Sequence, residues 1–325
     1  MLLLSRTDVS RLMNFADYVD AVEAGFRAAA SGQALAPPAA AFHVPGGSYH
    51  AKAAALLAGD PPVMAIKLNG NYPANPAANG LPTVQGVIYL ADATNGRPLA
   101  VMDSIEITIN RTGAATALAA RHLARRDSRV ATICGAGVQG RIQAKAIAAA
   151  ARLDTIHVWD VRPDAAERLA CELAGDLAID VRPSTDVAVT RHSDIIVTAT
   201  SSRTAFLTPD LVRPGTFIAA VGADNSDKSE IAPALYAASQ AVVDSLEQCV
   251  EIGDLHHALK ANAVTPAHVH ATLAELVAGQ KPGRRDDQAI TLFDSSGMGL
   301  QDVAAANAVY RRALEAGAGT RLTLT

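Results

Sequence analysis

Aromatic residues and cysteines are both scarce in this chain. Phe, Trp and Tyr make up only 4% of its 325 residues, and the three cysteines are Cys134, Cys171 and Cys249. Their spacing matches no metal-binding motif, so the sequence predicts no metal site. A sparse, odd number of cysteines is typical of proteins in a reducing compartment, and we therefore expect a cytoplasmic protein.

Basic blocks and long apolar runs are also missing. The formal net charge is −4 without any cluster of basic residues, so we expect no nucleic acid and no anionic membrane surface as a partner. No apolar stretch approaches the length of a membrane-spanning helix, and Met1–Leu4 is too short for the hydrophobic part of a signal peptide. The sequence therefore predicts neither a membrane span nor a secretory signal.

Small apolar residues, in contrast, are abundant. Hydrophobic residues make up 50% of the chain and many are alanine, which is typical of α/β proteins with closely packed helices. From residue 129 onward, short apolar strands alternate with helical segments, and this alternation predicts a Rossmann-type doubly wound parallel sheet. The predicted strands are 130–134, 155–160, 194–199, 216–222, 241–244 and 289–294.

The region before residue 112 follows a different pattern. Alternating strands flank Asp92-Ala-Thr-Asn-Gly96, whose Asn-Gly pair is a hairpin signal, and an amphipathic helix precedes them. This pattern predicts an α+β region with an antiparallel sheet. The predicted strands and helices here and at the end of the chain are 14–31, 63–69, 83–90, 99–103, 112–124 and 301–316.

The most informative motif is a Gly-x-Gly-x-x-Gly turn at Gly135, Gly137 and Gly140. It follows the strand 130–134 and precedes a helix, a second strand and Asp160, which is the order of a dinucleotide-binding βαβ unit. Gly135 permits the tight turn, Gly137 lets a pyrophosphate approach the backbone, and Gly140 lets helix and strand pack closely. We predict a dinucleotide site; the alternative is a glycine-rich turn in an ordinary βαβ unit.

The acid at the end of the second strand bears on the coenzyme. Asp160 can accept hydrogen bonds from the adenosine ribose, and a 2′-phosphate would approach its carboxylate, so the sequence favours NAD over NADP. Arg162 lies two residues further on and can pair with such a phosphate. NADP therefore stays an alternative.

Three charged residues are candidates for substrate chemistry. Lys67 on a predicted strand and Arg111 at the predicted start of a helix are suited to hold a small carboxylate; the alternative for each is solvation at the surface. Asp224 follows the strand 216–222, at the sheet edge where open α/β sheets bind ligands, and can exchange a proton with an amine or imine. The alternative is that Asp224 or Asp227 caps a following helix.

Lys228 and several histidines are secondary candidates. Lys228 can lower the pKa of Asp224 by proximity, or it is simply exposed. His50 can act as an acid or base near neutral pH, the alternative being a strand histidine bonded to a backbone carbonyl. His256 and His257 are adjacent and point apart on a helix or a strand, so they predict no metal pair.

Seven segments form a specific combination, although no single one is distinctive. They are Gly80-Leu-Pro-Thr-Val-Gln-Gly86, Asp92-Ala-Thr-Asn-Gly96, Asp103-Ser-Ile-Glu-Ile-Thr108, Arg111-Thr-Gly-Ala-Ala115, Gly135-Ala-Gly-Val-Gln139, Val221-Gly-Ala-Asp224 with Lys228, and Gly299-Leu-Gln-Asp302. In this order they resemble the ornithine cyclodeaminase/mu-crystallin family over essentially the whole chain.

The resemblance implies two domains: a substrate-binding and dimerisation domain at 1–112 with 303–325, and a dinucleotide-binding Rossmann domain at 113–302. It implies a homodimer and NAD(P) chemistry at the α-carbon of a small amino-acid or imino-acid substrate. The family includes cyclodeaminases, alanine dehydrogenases, and ketimine or pyrroline-2-carboxylate reductases.

The resemblance also implies roles for individual residues. Lys67 and Arg111 would hold the substrate carboxylate, and Asp224 would be the general acid/base, with Lys228 beside it. The dinucleotide would be lined, together with the three glycines, by Thr83, Thr112, Val138, Gln139, Asp160, Arg162, Thr200, Val221, Ser295 and Ser296.

Two departures from the family pattern bear on the substrate. Where family members often carry an arginine as a further carboxylate contact, this chain has Pro37-Pro-Ala-Ala40. Either the substrate carboxylate is held more weakly, or Lys52 or His50 supplies the contact. The glutamate that holds the distal amine of ornithine in cyclodeaminases is absent, since no acid occurs between Ala36 and Gly59. We therefore favour an NAD-dependent oxidoreductase that interconverts a small L-amino acid and its imino or cyclic ketimine acid. A cyclodeaminase and a mu-crystallin-like binding protein are the alternatives.

Overall fold

The computed structural model describes residues 1–323, which form two compact units. The first unit contains Met1–Ala114 and the chain from Met298 onward, and the second contains Ala115–Gly297. Among the described residues, no helix combines the length and the hydropathy needed to cross a membrane.

The chain begins with the strands and helices of the first unit and with the helix Ile105–Leu123, which continues into the second unit. In chain order they are β1 Leu2–Leu4, α1 Arg6–Leu12, α2 Phe15–Ala30, β2 Ala34–Leu35, β3 Ala40–Val44, β4 Gly47–Leu56, β5 Val63–Asn71, α3 Asn75–Ala78, β6 Val84–Asp92, β7 Pro98–Asp103 and α4 Ile105–Leu123.

The second unit follows, and the chain then returns to the first. The elements of the second unit are β8 Val130–Cys134, α5 Val138–Ala150, β9 Thr155–Trp159, α6 Pro163–Asp176, β10 Asp180–Ser184, β11 Ile195–Thr198, β12 Phe217–Ala220, α7 Pro233–Ala237, β13 Gln240–Val243, α8 Leu246–Cys249, α9 Asp254–Lys260, β14 Ala271–Thr272, α10 Leu273–Val277 and β15 Thr291–Asp294. The returning elements are α11 Gly299–Ala316 and β16 Thr320–Arg321.

The sheet of the first unit has the strand order β16-β1-β7-β6-β5-β4-β2, with β3 paired to β4. All its pairs are antiparallel except β1 with β7, so the predicted antiparallel α+β architecture is confirmed. Helices α2 and α11 pack together, and α11 also packs on β4 and β5. Glycine permits these contacts: a Cβ on Gly25 would lie 2.9 Å from the Cβ of Ala304, and one on Gly299 would overlap the Ala53 carbonyl.

Strand β5 shows how this sheet places a charged residue in the core. Successive side chains of a strand point to opposite faces, so Val63, Ala65 and Lys67 are buried. Ile66 and Leu68 point the other way and are 39% and 41% exposed. Lys67 therefore lies on the inner face of the sheet because of its register within the strand.

The sheet of the second unit has the order β10-β9-β8-β11-β12-β15-β13-β14, and every pair is parallel. The sequence of strands reverses direction beside β8, which confirms the predicted Rossmann-type doubly wound sheet. All six predicted strands are present. Sequence reasoning missed the short strands β10 and β14; β10 contains Pro183, which is tolerated because β10 is an edge strand.

Helix α4 begins earlier than the sequence predicts. Its first residues include Ile105, Ile107 and Thr108, whose branched side chains have low intrinsic helix propensity. The carboxylate of Asp103 nevertheless accepts the Ile105 N–H at 2.9 Å, and Ile107 is fully buried. The prediction that Arg111 starts the helix is therefore wrong; Arg111 lies in its second turn, because packing outweighs local propensity.

Candidate functional site

The glycine turn after β8 depends on two of its three glycines for its shape. Gly135 has a φ of +109°, and a Cβ there would lie 2.6 Å from the carbonyl oxygen of Ala199. A Cβ on Gly140 would overlap the carbonyl oxygen of Gly135. Neither position accepts a side chain, so the turn requires glycine where strand and helix meet.

The third glycine opens the turn to solvent. Gly137 is the N-cap of α5, and no side chain of residues 1–323 caps this helix end. Apart from the adjoining backbone, a Cβ built on Gly137 would meet no described atom within 4 Å. The first-turn N–H groups of α5 and its positive dipole end therefore face open space, with Val138 63% exposed beside them. Such a helix end binds anions such as a pyrophosphate.

Asp160 follows β9 and stabilises the same turn. Its Oδ2 accepts the N–H of Ala136 at 2.8 Å and its Oδ1 accepts the N–H of Arg162 at 2.9 Å. The Arg162 side chain is 69% exposed, with Nε 3.7 Å from Asp160 Oδ1. The acid and the arginine that bear on coenzyme choice are thus neighbours.

Glu230 ties together the loops that follow β11 and β12, and sequence reasoning missed it. Its fully buried carboxylate accepts the Thr198 hydroxyl at 2.7 Å, the Thr200 N–H at 2.7 Å and the Gly222 N–H at 2.9 Å. The Thr200 hydroxyl donates to it at 2.6 Å. Burial raises the pKa of Glu230 although these donors oppose the shift. A glutamate in Ser-Glu-Ile carries no sequence signal of burial.

Asp224 lies in the loop after β12 and pairs with Lys228. The Nζ of Lys228 donates to Asp224 Oδ1 at 2.7 Å, and the Asp224 side chain is half-exposed. The alternative that Asp224 or Asp227 caps a helix is wrong, because the next helix, α7, begins at Pro233 with Ala232 as its N-cap. The pairing and exposure of Asp224 suit a proton-exchanging group.

The remaining predicted coenzyme residues of the second unit follow β15 and β12. Ser296 donates its hydroxyl to Asp244 Oδ1 at 2.7 Å, and the N–H of Gly297 donates to Asp244 Oδ2 at 2.6 Å. Ser295 lies 3.4 Å from the same carboxylate. Val221 directly follows β12, and its N–H donates to Thr198 O at 2.9 Å. These residues all lie at the carboxyl ends of parallel strands, where open α/β sheets bind ligands.

The first unit contains a buried cluster of two cations and one acid. Asp302 Oδ2 lies 2.7 Å from Lys67 Nζ, and Asp302 Oδ1 lies 3.0 Å from Arg111 Nε. All three side chains are at most 6% exposed, and Arg111 also donates to the amide oxygen of Gln301. The alternative that Lys67 and Arg111 are solvated at the surface is therefore wrong.

Burial and the neighbouring charges together determine the pKa values of this cluster. Burial lowers the pKa of Lys67 to about 7, with the attraction of Asp302 opposing the shift and the Arg111 charge adding to it. Burial also pushes the pKa of Asp302 upward, yet Arg111 and Lys67 outweigh it and hold that pKa below its usual value. Asp302 is thus an ionised counterion, a role that sequence reasoning did not assign; only its place in Gly299-Leu-Gln-Asp302 singled it out.

The other predicted residues of the first unit lie on or beside the same elements. Lys52 is paired with Lys67 in the register of β4 and β5. His50 Nε2 lies 3.0 Å from the Ser48 hydroxyl. Thr83 precedes β6 and accepts the Tyr72 N–H at 2.8 Å, while Thr112 on α4 donates its hydroxyl to Thr108 O at 2.7 Å.

The chain is 35% identical over 323 residues to an alanine dehydrogenase of Archaeoglobus fulgidus, covering 99% of this chain and 98% of that protein. It is 34% identical over 255 residues to the iminosuccinate reductase of Paracoccus denitrificans, covering 78% of each.

Solved structures agree with these relatives. An archaeal alanine dehydrogenase dimer with bound NAD superposes with a TM-score of 0.95 at 34% identity, covering 100% of this chain and 99% of that one. The Thermococcus litoralis Delta(1)-pyrroline-2-carboxylate reductase in complex with NADH and L-proline gives a TM-score of 0.93 at 35% identity, covering 99% of this chain and 100% of that one. A family profile matches residues 1–317. The chain belongs to the ornithine cyclodeaminase/mu-crystallin family.

Proposed function

We propose that this chain is an NAD-dependent oxidoreductase that interconverts a small L-amino acid and its 2-imino or cyclic ketimine acid. The observation that carries the proposal is the buried Lys67–Asp302–Arg111 cluster. When Lys67 is protonated, two cations against one carboxylate leave a net positive charge suited to a substrate carboxylate. Similar relatives named as a dehydrogenase and reductases of amino and imino acids support the same reaction.

The second unit fits the coenzyme. The open, uncapped start of α5 at Gly137, with Val138 and Gln139, would hold the pyrophosphate, and Asp160 would hold the adenosine ribose. When bound, the nicotinamide supplies or accepts the hydride. The residues that would line the rest of the coenzyme are Thr83, Thr112, Thr200, Val221, Ser295 and Ser296.

The chain's own residues perform the remaining steps. Lys67 and Arg111 bind the carboxylate and orient the α-carbon, an ordering effect that can supply several kcal/mol of the barrier (up to about 7–11). Lys52 and His50 are the further cationic or polar groups proposed for the substrate. Asp224 takes a proton from the amine during oxidation and returns it during reduction, and Lys228 stabilises its carboxylate form.

We also propose a homodimer, formed through the exposed face of the first unit's sheet. Ile66, Leu68 and Val87 are each about two-fifths exposed or more on this face. Phe42 and Tyr49 stack with ring centroids 5.3 Å apart on the strands beside it, and Phe42 is 56% exposed. Contiguous apolar surface of this kind is typical of protein interfaces. The archaeal alanine dehydrogenase structure is likewise a dimer.

The cysteines bear on the compartment. Cys134 and Cys249 are buried, Cys171 is exposed, and none of the three forms a disulfide within the described residues. A free exposed thiol is typical of a reducing compartment, so we propose a cytoplasmic location.

A substrate screen tests the proposed function. The purified protein is incubated with NAD⁺ and single L-amino acids, and in the reverse direction with NADH and either cyclic imines or 2-oxo acids plus ammonia or methylamine. We expect NADH formation or consumption with at least one small substrate, and tighter binding of NADH than of NADPH. Release of ammonia from ornithine or lysine without net NADH would instead indicate a cyclodeaminase. Coenzyme binding without turnover of any substrate would indicate a binding protein.

A further inference from the structure

One carboxylate joins the carboxyl ends of two neighbouring strands of the parallel sheet. Glu230 accepts hydrogen bonds from Thr198, the last residue of β11, from Thr200 in the loop that follows, and from Gly222 in the loop after β12. The approach is close: a Cβ on Gly222 would lie 2.5 Å from the Glu230 carboxylate. Glycine at position 222 thus makes room for the acid, whose carboxylate accepts hydrogen bonds from both loops.

The backbone around Glu230 is held from the opposite side. Asp254 Oδ1, at the start of α9, accepts the N–H of Glu230 at 2.8 Å and that of Ile231 at 3.0 Å. The carbonyl of Lys228 lies 2.8 Å from His257 Nε2. The segment from Lys228 to Ile231 is therefore anchored by its backbone to α9 and by the Glu230 side chain to the two loops. Lys228 in turn donates to Asp224.

We propose that Glu230 is a positioning residue for the coenzyme loops and for the Asp224–Lys228 pair. The proposal rests on the function proposed above. Glu230 does not need to touch coenzyme or substrate: it acts through Thr200 and Gly222 on one side and through the Lys228 backbone on the other. An ionised carboxylate is an acceptor only, which matches the four donors around it. A glutamine would turn its NH₂ group toward some of those donors and could not accept all four bonds.

The same sheet contains a second acid that bonds to backbone N–H groups, at the amino ends of its strands, and this acid also pairs with two arginines. Asp194, just before β11, is 4% exposed and accepts the N–H groups of Arg129 at 2.8 Å and Val130 at 3.0 Å. It therefore joins the amino ends of β8 and β11 as Glu230 joins the carboxyl ends of β11 and β12. Loss of either carboxylate removes buried hydrogen bonds. Of the two acids, only Glu230 lies at the carboxyl ends of the strands, where open α/β sheets bind ligands.

Three single variants, Glu230→Gln, Thr198→Val and Asp194→Asn, and the double variant Glu230→Gln/Thr198→Val distinguish a positioning role from a general loss of stability. The dissociation constant of NADH is measured by fluorescence titration, thermal unfolding is followed in parallel, and kcat and KM for NADH are determined where turnover is present. We expect Glu230→Gln to weaken NADH binding roughly tenfold or more, since several bonds to a charged acceptor are lost. Thr198→Val should weaken NADH binding by a smaller factor. In the double variant it should add little to the effect of Glu230→Gln, because both substitutions act through the hydrogen bond between Thr198 and Glu230. Asp194→Asn should lower the unfolding temperature without changing NADH affinity.

The outcomes distinguish the two proposals. Wild-type NADH affinity in folded Glu230→Gln or Thr198→Val protein would overturn the positioning role, as would an equal loss of affinity in Asp194→Asn. If Glu230→Gln does not fold, Thr198→Val alone decides, since it removes one hydroxyl and leaves the acid in place. Failure of the wild-type protein to bind either NADH or NADPH would reject the proposed function itself, and the positioning role with it.

Discussion

Lys67 illustrates how burial gives a residue its chemistry. A lysine on a strand is an ordinary sequence feature, and its charge is normally permanent at neutral pH. Here the side chain is 4% exposed, and burial lowers its pKa to about 7 although Asp302 opposes the shift. The charge of Lys67 therefore depends on the pH near neutrality, and so would its proposed attraction for a substrate carboxylate.

The pKa of Lys67 leads to a prediction on substrate binding. Because only the protonated amine attracts a carboxylate, the KM for the amino-acid or imino-acid substrate should rise as the pH increases through about 7. Steady-state KM values across this pH range, at saturating coenzyme, measure the effect. In Lys67→Arg the positive charge persists, so the pH dependence of KM should flatten. If KM depends on pH in the same way in the wild-type protein and in Lys67→Arg, the protonation of Lys67 does not control substrate binding.

Substitution of Asp224 should lower turnover without weakening coenzyme binding. Asp224→Asn keeps the shape of the side chain but cannot accept the amine proton, so we expect kcat to fall roughly 10²–10⁴-fold while the NADH dissociation constant stays near the wild-type value. Stopped-flow or steady-state rates and a fluorescence titration provide the two measurements. Asp227→Asn, an exposed acid in the same loop, is the matched control and should keep its activity. Near-normal turnover of Asp224→Asn would assign the proton transfer to another group.

At the scale of elements, the turn from β8 to α5 was the most predictable part of the site. Its glycines, strand and following acid are contiguous in sequence, and each has a local physical reason. The start of α4 was not predictable, because its branched residues have low helix propensity and burial of Ile107 decides the outcome. Strand β10 was missed since it is short and contains a proline. Local sequence signals therefore predicted an element correctly where residue type constrains the backbone conformation. They failed where tertiary packing determines whether and where an element forms.

The glycine turn allows a prediction with an internal control. Gly140→Ala would force a methyl group against the carbonyl of Gly135, so the free energy of unfolding should fall by about 1–3 kcal/mol and NADH binding should weaken with it. Apart from the adjoining backbone, Gly137→Ala meets no described atom within 4 Å and has an allowed φ of −88°, so its unfolding temperature should be retained. Its NADH affinity should still fall, because the methyl group occupies the approach of the pyrophosphate. Thermal unfolding and NADH titration are measured for both variants. Equal stability of Gly140→Ala and Gly137→Ala would contradict the prediction.

At the scale of the whole molecule, the exposed apolar face of the first unit's sheet requires an explanation. The inner face of the same strands is covered by α11, whereas Ile66, Leu68 and Val87 lie open on the outer face. Sheets with two apolar faces are usually covered on both. A second copy of the chain is the proposed cover.

The dimer proposal predicts the effect of a charge on this face. Leu68→Glu should shift the protein toward the monomer at micromolar concentration, because an unpaired carboxylate would be buried in the interface. Size-exclusion chromatography with light scattering measures the mass. Leu314→Glu adds the same charge at another exposed leucine, on α11, and should leave the assembly unchanged. A wild-type mass equal to one chain would exclude the dimer.

The sequence by itself determined the parallel Rossmann-type sheet, the glycine turn and the family, because strand periodicity, turn geometry and motif order are properties of neighbouring residues. It also indicated Lys67, Arg111 and Asp224 as candidates. Only the tertiary structure decided their surroundings: Asp302 reaches Lys67 from a helix 235 positions away in the chain, as their residue numbers show, and Glu230 faces two loops from a segment that looks like an exposed turn. Counterions and buried acceptors are assigned by proximity in space, and proximity across such separations follows from packing, which no local pattern encodes.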